Sequence, residues 1–87
     1  MQLQELWPLV YSVASGAIEI SPGSATFDQL AEEVMELHLA MRGKHEDTPA
    51  MEWLEIAGIA LNALAECPEQ DVMTAIDTWF ARHGNQD

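Results

Sequence analysis

Apolar and acidic side chains alternate at helical spacing in the segment Leu30-Ala31-Glu32-Glu33-Val34-Met35-Glu36-Leu37, which contains no proline or glycine. At about 100° per residue, the predicted core face consists of Leu30, Val34, Leu37 and Met41. Measured from Leu30, Glu33 falls at about 300° and Glu36 at about 240°, so both flank this core face, with Glu33 nearer the interior. The segment therefore predicts an amphipathic helix that carries carboxylates beside its packing face.

A second acidic pair, Glu52 and Glu55, lies on the next predicted helix, which Thr48 caps and Pro49 begins. Apolar side chains cover most of the circumference of this helix, so we expect it to be largely buried. Its polar side chains fall within about 80° of arc. This polar strip consists of Glu52, Glu55, Asn62 and Glu66. Because the strip contains no lysine or arginine, its carboxylates have no partner of opposite charge on the same helix.

Carboxylates spaced one turn apart on two neighbouring helices can form a cage of hard oxygen ligands for Mg²⁺ or a related divalent cation. The alternative is an ordinary solvated acidic surface, which is what most acidic helix faces are. A solvated face normally mixes charges of both signs, whereas these carboxylates repel one another. Like charges clustered beside a core cost stability unless a cation binds, so the pattern favours a metal site.

The rest of the chain predicts further helices and no sheet. The predicted helices span roughly residues 3–15, 26–42, 49–66 and 69–83. The second begins with Thr26 and Gln29 at capping-box spacing and ends before Gly43, while Cys67 and Pro68 separate the last two. Residues 17–25 predict a turn with a short extended segment. We expect one all-α domain over residues 1–87, a four-helix bundle that oligomerisation completes, since so short a chain buries little surface.

Composition excludes several classes of function. Fifteen acidic residues against three basic ones give a formal net charge of -12, which repels nucleic acid, so direct DNA or RNA binding is not expected. No apolar run approaches the length that spans a bilayer, and we expect no membrane association. Cys67 is the only cysteine, so no internal disulfide can form, and a reducing cytoplasm is the expected compartment.

The pattern Glu32-Glu33-x-x-Glu36 followed by Glu52-x-x-Glu55, set in two helices of a small all-α chain, resembles the MazG-type nucleotide pyrophosphohydrolases and their dimeric dUTPase relatives. The resemblance runs from about residue 27 to residue 65. It implies four metal ligands, Glu33, Glu36, Glu52 and Glu55, with Glu32 as a supporting residue. It also implies Mg²⁺ as the cofactor and hydrolysis of a nucleoside or deoxynucleoside triphosphate to the monophosphate and pyrophosphate.

One residue departs from that family's pattern, because its last ligand is an aspartate and this chain has Glu55. The extra methylene could move the metal, favour Mn²⁺, or weaken the site, since Mg²⁺ demands near-ideal octahedral geometry. Two helices cannot enclose a nucleotide by themselves, so we expect a homodimer or a dimer of dimers in which the partner closes the pocket.

Few residues are suited to contact the substrate. Arg42 and Lys44 could reach its phosphates, although basic residues at a helix C-terminus commonly serve as partners of the helix dipole. Asn62 could contact base or sugar, or instead form a hydrogen bond between helices. His45 and the other histidines do not have the spacing of a zinc site, so we expect them to have packing or surface roles.

Two non-enzymatic functions also fit the sequence. The chain could be an acidic binding protein that imitates nucleic acid for a basic partner, with its acidic residues spread over an outer surface. It could also be a degenerate relative of the pyrophosphohydrolases that is kept as an oligomeric scaffold.

Overall fold

A computed structural model describes residues 1–16 and 25–84, and within these ranges the chain is all-α with no strand. The helices are α1 (Leu3–Gly16), α2 (Ala25–Met41), α3 (Pro49–Glu66) and α4 (Glu69–Trp79), and a π-helical turn, Phe80–Gly84, continues α4. The four predicted helices are confirmed, with ends that differ by one or two residues apart from the π-helical turn. The predicted turn and extended segment at residues 17–25 lie, apart from Ala25, outside the described residues.

Local signals set most of the helix ends. The Thr48 hydroxyl accepts a hydrogen bond from the Met51 N–H at 3.2 Å, which confirms the predicted cap of α3. At the end of α2, Gly43 has a φ of 70°, and the Lys44 N–H donates to the Leu39 carbonyl in a Schellman motif. The start of α2 differs from the prediction, because the helix already begins at Ala25 and Thr26 is its second residue.

Helix α3 is the centre of the fold, since both α1 and α2 pack against it. The buried apolar side chains among the described residues are Ala14, Leu37, Ala40 and Ile59. This core is small and contains two alanines, so the three helices approach one another closely. Close approach of α2 and α3 is what brings their acidic side chains together.

The side of α3 that faces inward is its polar strip. Glu52 is buried, Glu55 and Asn62 are half-buried, and Glu66 is exposed. On the opposite side, Trp53 remains 53% exposed, so the prediction of a largely buried helix is wrong for that side. The α2 carboxylates meet this strip, so the acidic side chains of both helices lie at their contact.

The inward face of α2 is rotated about the helix axis by about 60° from the predicted core face. Leu37 and Ala40 are buried, whereas Val34 and Met41 are 50% and 60% exposed. Ala40 lies at about 280° on the wheel, between the positions of Glu33 and Glu36. The rotation therefore moves both carboxylates from the flank of the core into the contact between α2 and α3.

Helix α4 does not pack along α1, α2 or α3, so the described part of the chain is a three-helix unit with a separate fourth helix and not a closed four-helix bundle. No residue of α4 is buried. The radius of gyration is 15.0 Å, against about 12 Å for a compact chain of this length. None of the described helices combines the length and the apolar character needed to cross a membrane.

Candidate metal centre

Four carboxylates meet where α2 crosses the first two turns of α3. Helix α2 supplies Glu33 and Glu36, and α3 supplies Glu52 and Glu55, each pair spaced about one turn apart. One oxygen from each of the four lies within 4.8 Å of the others. The structure thus brings together the four residues that the sequence predicted as ligands.

Glu52 is the most unusual member of this acidic cluster. Its side chain is 0% exposed, and neither of its carboxylate oxygens has a hydrogen-bond partner unless a neighbouring carboxyl carries a proton. Oε2 of Glu33 is also buried without a partner. A buried carboxylate normally requires hydrogen bonds or an opposite charge, because leaving it unpaired costs free energy. The oxygen atoms are therefore arranged for a positively charged ligand or for protons.

The carboxylates repel one another strongly enough to retain protons. A side-chain hydrogen bond with Glu55, burial, and the charges of Glu55 and Glu36 raise the pKa of Glu33 to about 8. Burial and the same two charges also raise the pKa of Glu52, although the hydrogen bond from Glu33 and the nearby His45 act in the opposite direction. Near neutral pH, the cluster holds protons that a divalent cation would displace.

His45 lies beside the cluster, which sequence reasoning missed. Its Nδ1 is 3.6 Å from Oε1 of Glu52, and His45, Glu36 and Glu52 form a second group whose potential ligand atoms all lie within 4.8 Å. Nδ1 accepts a hydrogen bond from the backbone N–H of Asp47 at 3.1 Å, which places the imidazole proton on Nε2. The feature of the sequence that could have predicted this position is the short connector between Gly43 and Thr48. So short a connector keeps the side chains of its residues close to the first turn of α3.

The donor set fits Mg²⁺ or Mn²⁺, which prefer carboxylate oxygens. Two oxygens on opposite sides of Mg²⁺ lie about 4.2 Å apart, twice the usual Mg–O distance, so oxygens within 4.8 Å need to move only slightly to bind one ion. The unpartnered oxygens of Glu52 are the observation that distinguishes this cluster from an ordinary acidic surface.

The other predicted site residues lie outside the cluster. Glu32 is exposed and is not among the grouped carboxylates, so its supporting role stays a prediction. Arg42 and Lys44 are exposed in the turn after α2. The amide nitrogen of Asn62 donates hydrogen bonds to the carbonyl of Ala14 at 3.0 Å and to that of Gly58 at 2.9 Å. Asn62 therefore forms a hydrogen bond between helices, which is one of the two roles predicted for it.

Comparison of the chain with protein-family models, with curated protein sequences and with solved structures gave no match.

Proposed function

We propose that this protein is a metal-dependent nucleoside triphosphate pyrophosphohydrolase, which releases pyrophosphate and a nucleoside or deoxynucleoside monophosphate. The observation that carries the proposal is the buried Glu52 carboxylate, which has no hydrogen-bond partner and faces three further carboxylates. The resemblance of the acidic motif to the MazG-type enzymes supports the choice of reaction and substrate. The burial of Glu52 favours a metal site over a nucleic-acid mimic, which has no use for a buried carboxylate.

In this proposal Glu33, Glu36, Glu52 and Glu55 hold Mg²⁺ or Mn²⁺ between α2 and α3. A bound divalent cation would neutralise phosphate charge and make water a better nucleophile at neutral pH. The small core fixes the two helices relative to each other, so the four carboxylates are positioned before the substrate arrives. Water is consumed as the anhydride bond between the α- and β-phosphates breaks.

Positive charge for the leaving pyrophosphate is scarce in this chain, which has three lysine and arginine residues in total. Arg42 and Lys44 are the candidates for phosphate contacts, because they extend from the turn that joins the two ligand helices. Most of the phosphate charge would therefore be balanced by the cation and not by side chains. A partner subunit would complete the nucleotide pocket, which a single pair of helices cannot enclose.

The test is pyrophosphate release from a panel of canonical and modified nucleoside triphosphates with Mg²⁺ or Mn²⁺. Glu36→Gln removes a ligand charge, and Glu66→Gln makes the same chemical change at an exposed position on α3. We expect turnover that needs metal, disappears in Glu36→Gln and persists in Glu66→Gln. Absence of turnover with every nucleotide, together with absence of stabilisation by either metal, would leave an acidic binding protein as the better account.

A further inference from the structure

An apolar groove runs between α1 and the outer side of α3. Its volume is about 690 Å³, and every residue that lines it is apolar. The walls include Leu6, Trp7 and Val10 from α1, and Trp53, Ala60 and Leu64 from α3. An uncovered apolar groove of this size is a typical binding surface for an apolar side of another element.

Helix α4 presents the matching feature, an apolar face that none of α1, α2 and α3 covers. At about 100° per residue, its large apolar side chains fall within about 120° of arc. This apolar face consists of Val72, Met73, Ile76, Trp79 and Phe80. Ile76 is 43% exposed and Trp79 is 55% exposed, although the rings of Trp79 and Phe80 contact each other at a centroid distance of 5.3 Å. Such a face is stable in water only when it is covered.

The exposed area is large enough to support an interface. The accessible surface is 6882 Å², against about 5,100 Å² for a folded monomer of this mass. The surplus of about 1,800 Å² exceeds the roughly 800 Å² that each partner buries in a standard protein interface. The chain therefore exposes the area that a stable dimer would bury.

We propose that α4 of one copy docks in the groove between α1 and α3 of a second copy, and that the second copy returns its own α4 across a two-fold axis. The lengths agree, because the eleven residues of α4 extend about 16 Å and the α3 wall from Ala50 to Leu64 extends about 21 Å. This exchange goes beyond the proposed function and does not depend on metal binding or hydrolysis.

The connection between α3 and α4 favours a second copy over the chain's own helix. Cys67 has a φ of -72° and a ψ of 150°, and Pro68 has a φ of -56° and a ψ of 137°. Proline disfavours helical backbone at the residue before it, so the sequence itself holds Cys67 extended. This extended two-residue connection leads into α4 without packing it along α3, so α4 of the same chain does not reach the groove.

Charge also favours a copy of the same chain over a basic partner. The groove offers no charged side chain to an ionic partner, although the chain as a whole is strongly acidic. Asp71 and Asp77 lie outside the apolar arc of α4, so docking leaves them toward solvent, while Glu69 lies within the arc only at the first residue of the helix. Each copy supplies one groove and one helix, and a two-fold exchange covers both surfaces and closes the assembly.

The test measures the mass of the full chain in solution by light scattering. We expect the native chain to be a dimer, twice its 9.6 kDa mass. Ala60→Glu places a charge in the groove and Ile76→Glu places one on α4, both at exposed positions, and each should give a folded monomer. Ala65→Glu and Thr78→Glu add the same charge outside both surfaces and should remain dimeric. A native monomer, or a dimer that survives Ile76→Glu, would overturn the proposal.

A cross-linking experiment identifies which surfaces meet. In a Cys67→Ser background, one tagged chain carries Ala60→Cys and a second carries Ile76→Cys, and the mixture is treated with a short bis-maleimide. Helix exchange predicts that the mixed product exceeds either product of like chains. A predominant product between two Ala60→Cys chains would instead mean that groove meets groove, which would overturn the exchange.

Discussion

The Nδ1 atom of His45 lies 3.6 Å from Oε1 of Glu52 but faces it as a hydrogen-bond acceptor, because that nitrogen already receives the N–H of Asp47. His45 in this tautomer cannot donate a proton from Nδ1 to the buried carboxylate. Glu52 is therefore held among Glu33, Glu36 and Glu55 with no donor other than a protonated neighbouring carboxyl, so only protons or a cation can offset the repulsion.

Replacement of Glu52 by glutamine should stabilise the protein in the absence of metal. The amide has nearly the same shape, carries no charge and can donate hydrogen bonds to the neighbouring carboxylates. We expect Tm in a chelating buffer to rise by about 5 °C, the shift that roughly 1 kcal/mol produces in a domain of this size. Glu66→Gln, an exposed control on the same helix, should change Tm much less. A lower Tm for Glu52→Gln would show that the charged form is favoured without metal.

The stability of the metal-free protein should fall as the pH rises. Glu33 loses its proton near pH 4.5 when unfolded but only near pH 8 when folded, so between these values the folded state binds more protons. The free energy of unfolding therefore decreases from about pH 4.5 to about pH 8 and levels off above that range. Urea unfolding across this range should show a shallower decrease for Glu33→Gln than for the native chain. Equal slopes would contradict the raised pKa.

Much of the fold was predictable, because local signals determine the helix ends. Thr48, Pro49 and Gly43 act through hydrogen bonds or backbone preferences within a few residues, and the structure contains the cap and the turn that they predicted. The inward face of each helix depends on tertiary contacts. Ala40 is buried and small enough to let α2 approach α3 closely, so the inward face of α2 lies nearer to Glu33 than predicted. A helical wheel of hydrophobicity does not include this effect of side-chain size.

The resemblance to the MazG-type enzymes implied the four grouped carboxylates, while helical spacing predicted only that the members of each pair share a side of their helix. The burial of Glu52 was not predictable, since the wheel placed it only on the polar strip of α3. His45 was also missed, because its position depends on the path of the connector after Gly43 and not on helical periodicity. The exposed apolar sides of α3 and α4 were not predictable either, because the sequence of a single chain does not specify what covers them.

Asn62 should contribute to stability through its contact with α1. Its amide donates to the carbonyl of Ala14, which lies in the last turn of α1 and has no acceptor role within that helix. Asn62→Ala should lower the free energy of unfolding by about 1 kcal/mol, the usual value of such a hydrogen bond. Denaturant unfolding measures the change. In the proposed enzyme, KM should remain nearly unchanged, whereas a large rise in KM with little loss of stability would support contact with the substrate instead.

Shortening Glu55 should change the metal preference of the reaction. Aspartate is one methylene shorter and is the residue that the MazG-type pyrophosphohydrolases carry at the corresponding position of the motif that this chain resembles, so in the proposed enzyme Glu55→Asp should raise activity with Mg²⁺ relative to Mn²⁺. Pyrophosphate release with each metal measures this ratio for the native and variant chains. Activity that appears only in Glu55→Asp would mean that the native protein is a scaffold that has lost catalysis.

Direct titration with Mn²⁺, followed by the electron paramagnetic resonance signal of the free ion, tests the central claim that the buried cluster is a metal centre. The native chain and Glu66→Gln should bind Mn²⁺ and release protons near pH 7, while Glu52→Gln should bind at least tenfold more weakly. Equal binding by native protein and Glu52→Gln, or absence of binding by both, would contradict the assignment of the acidic cluster as a metal site.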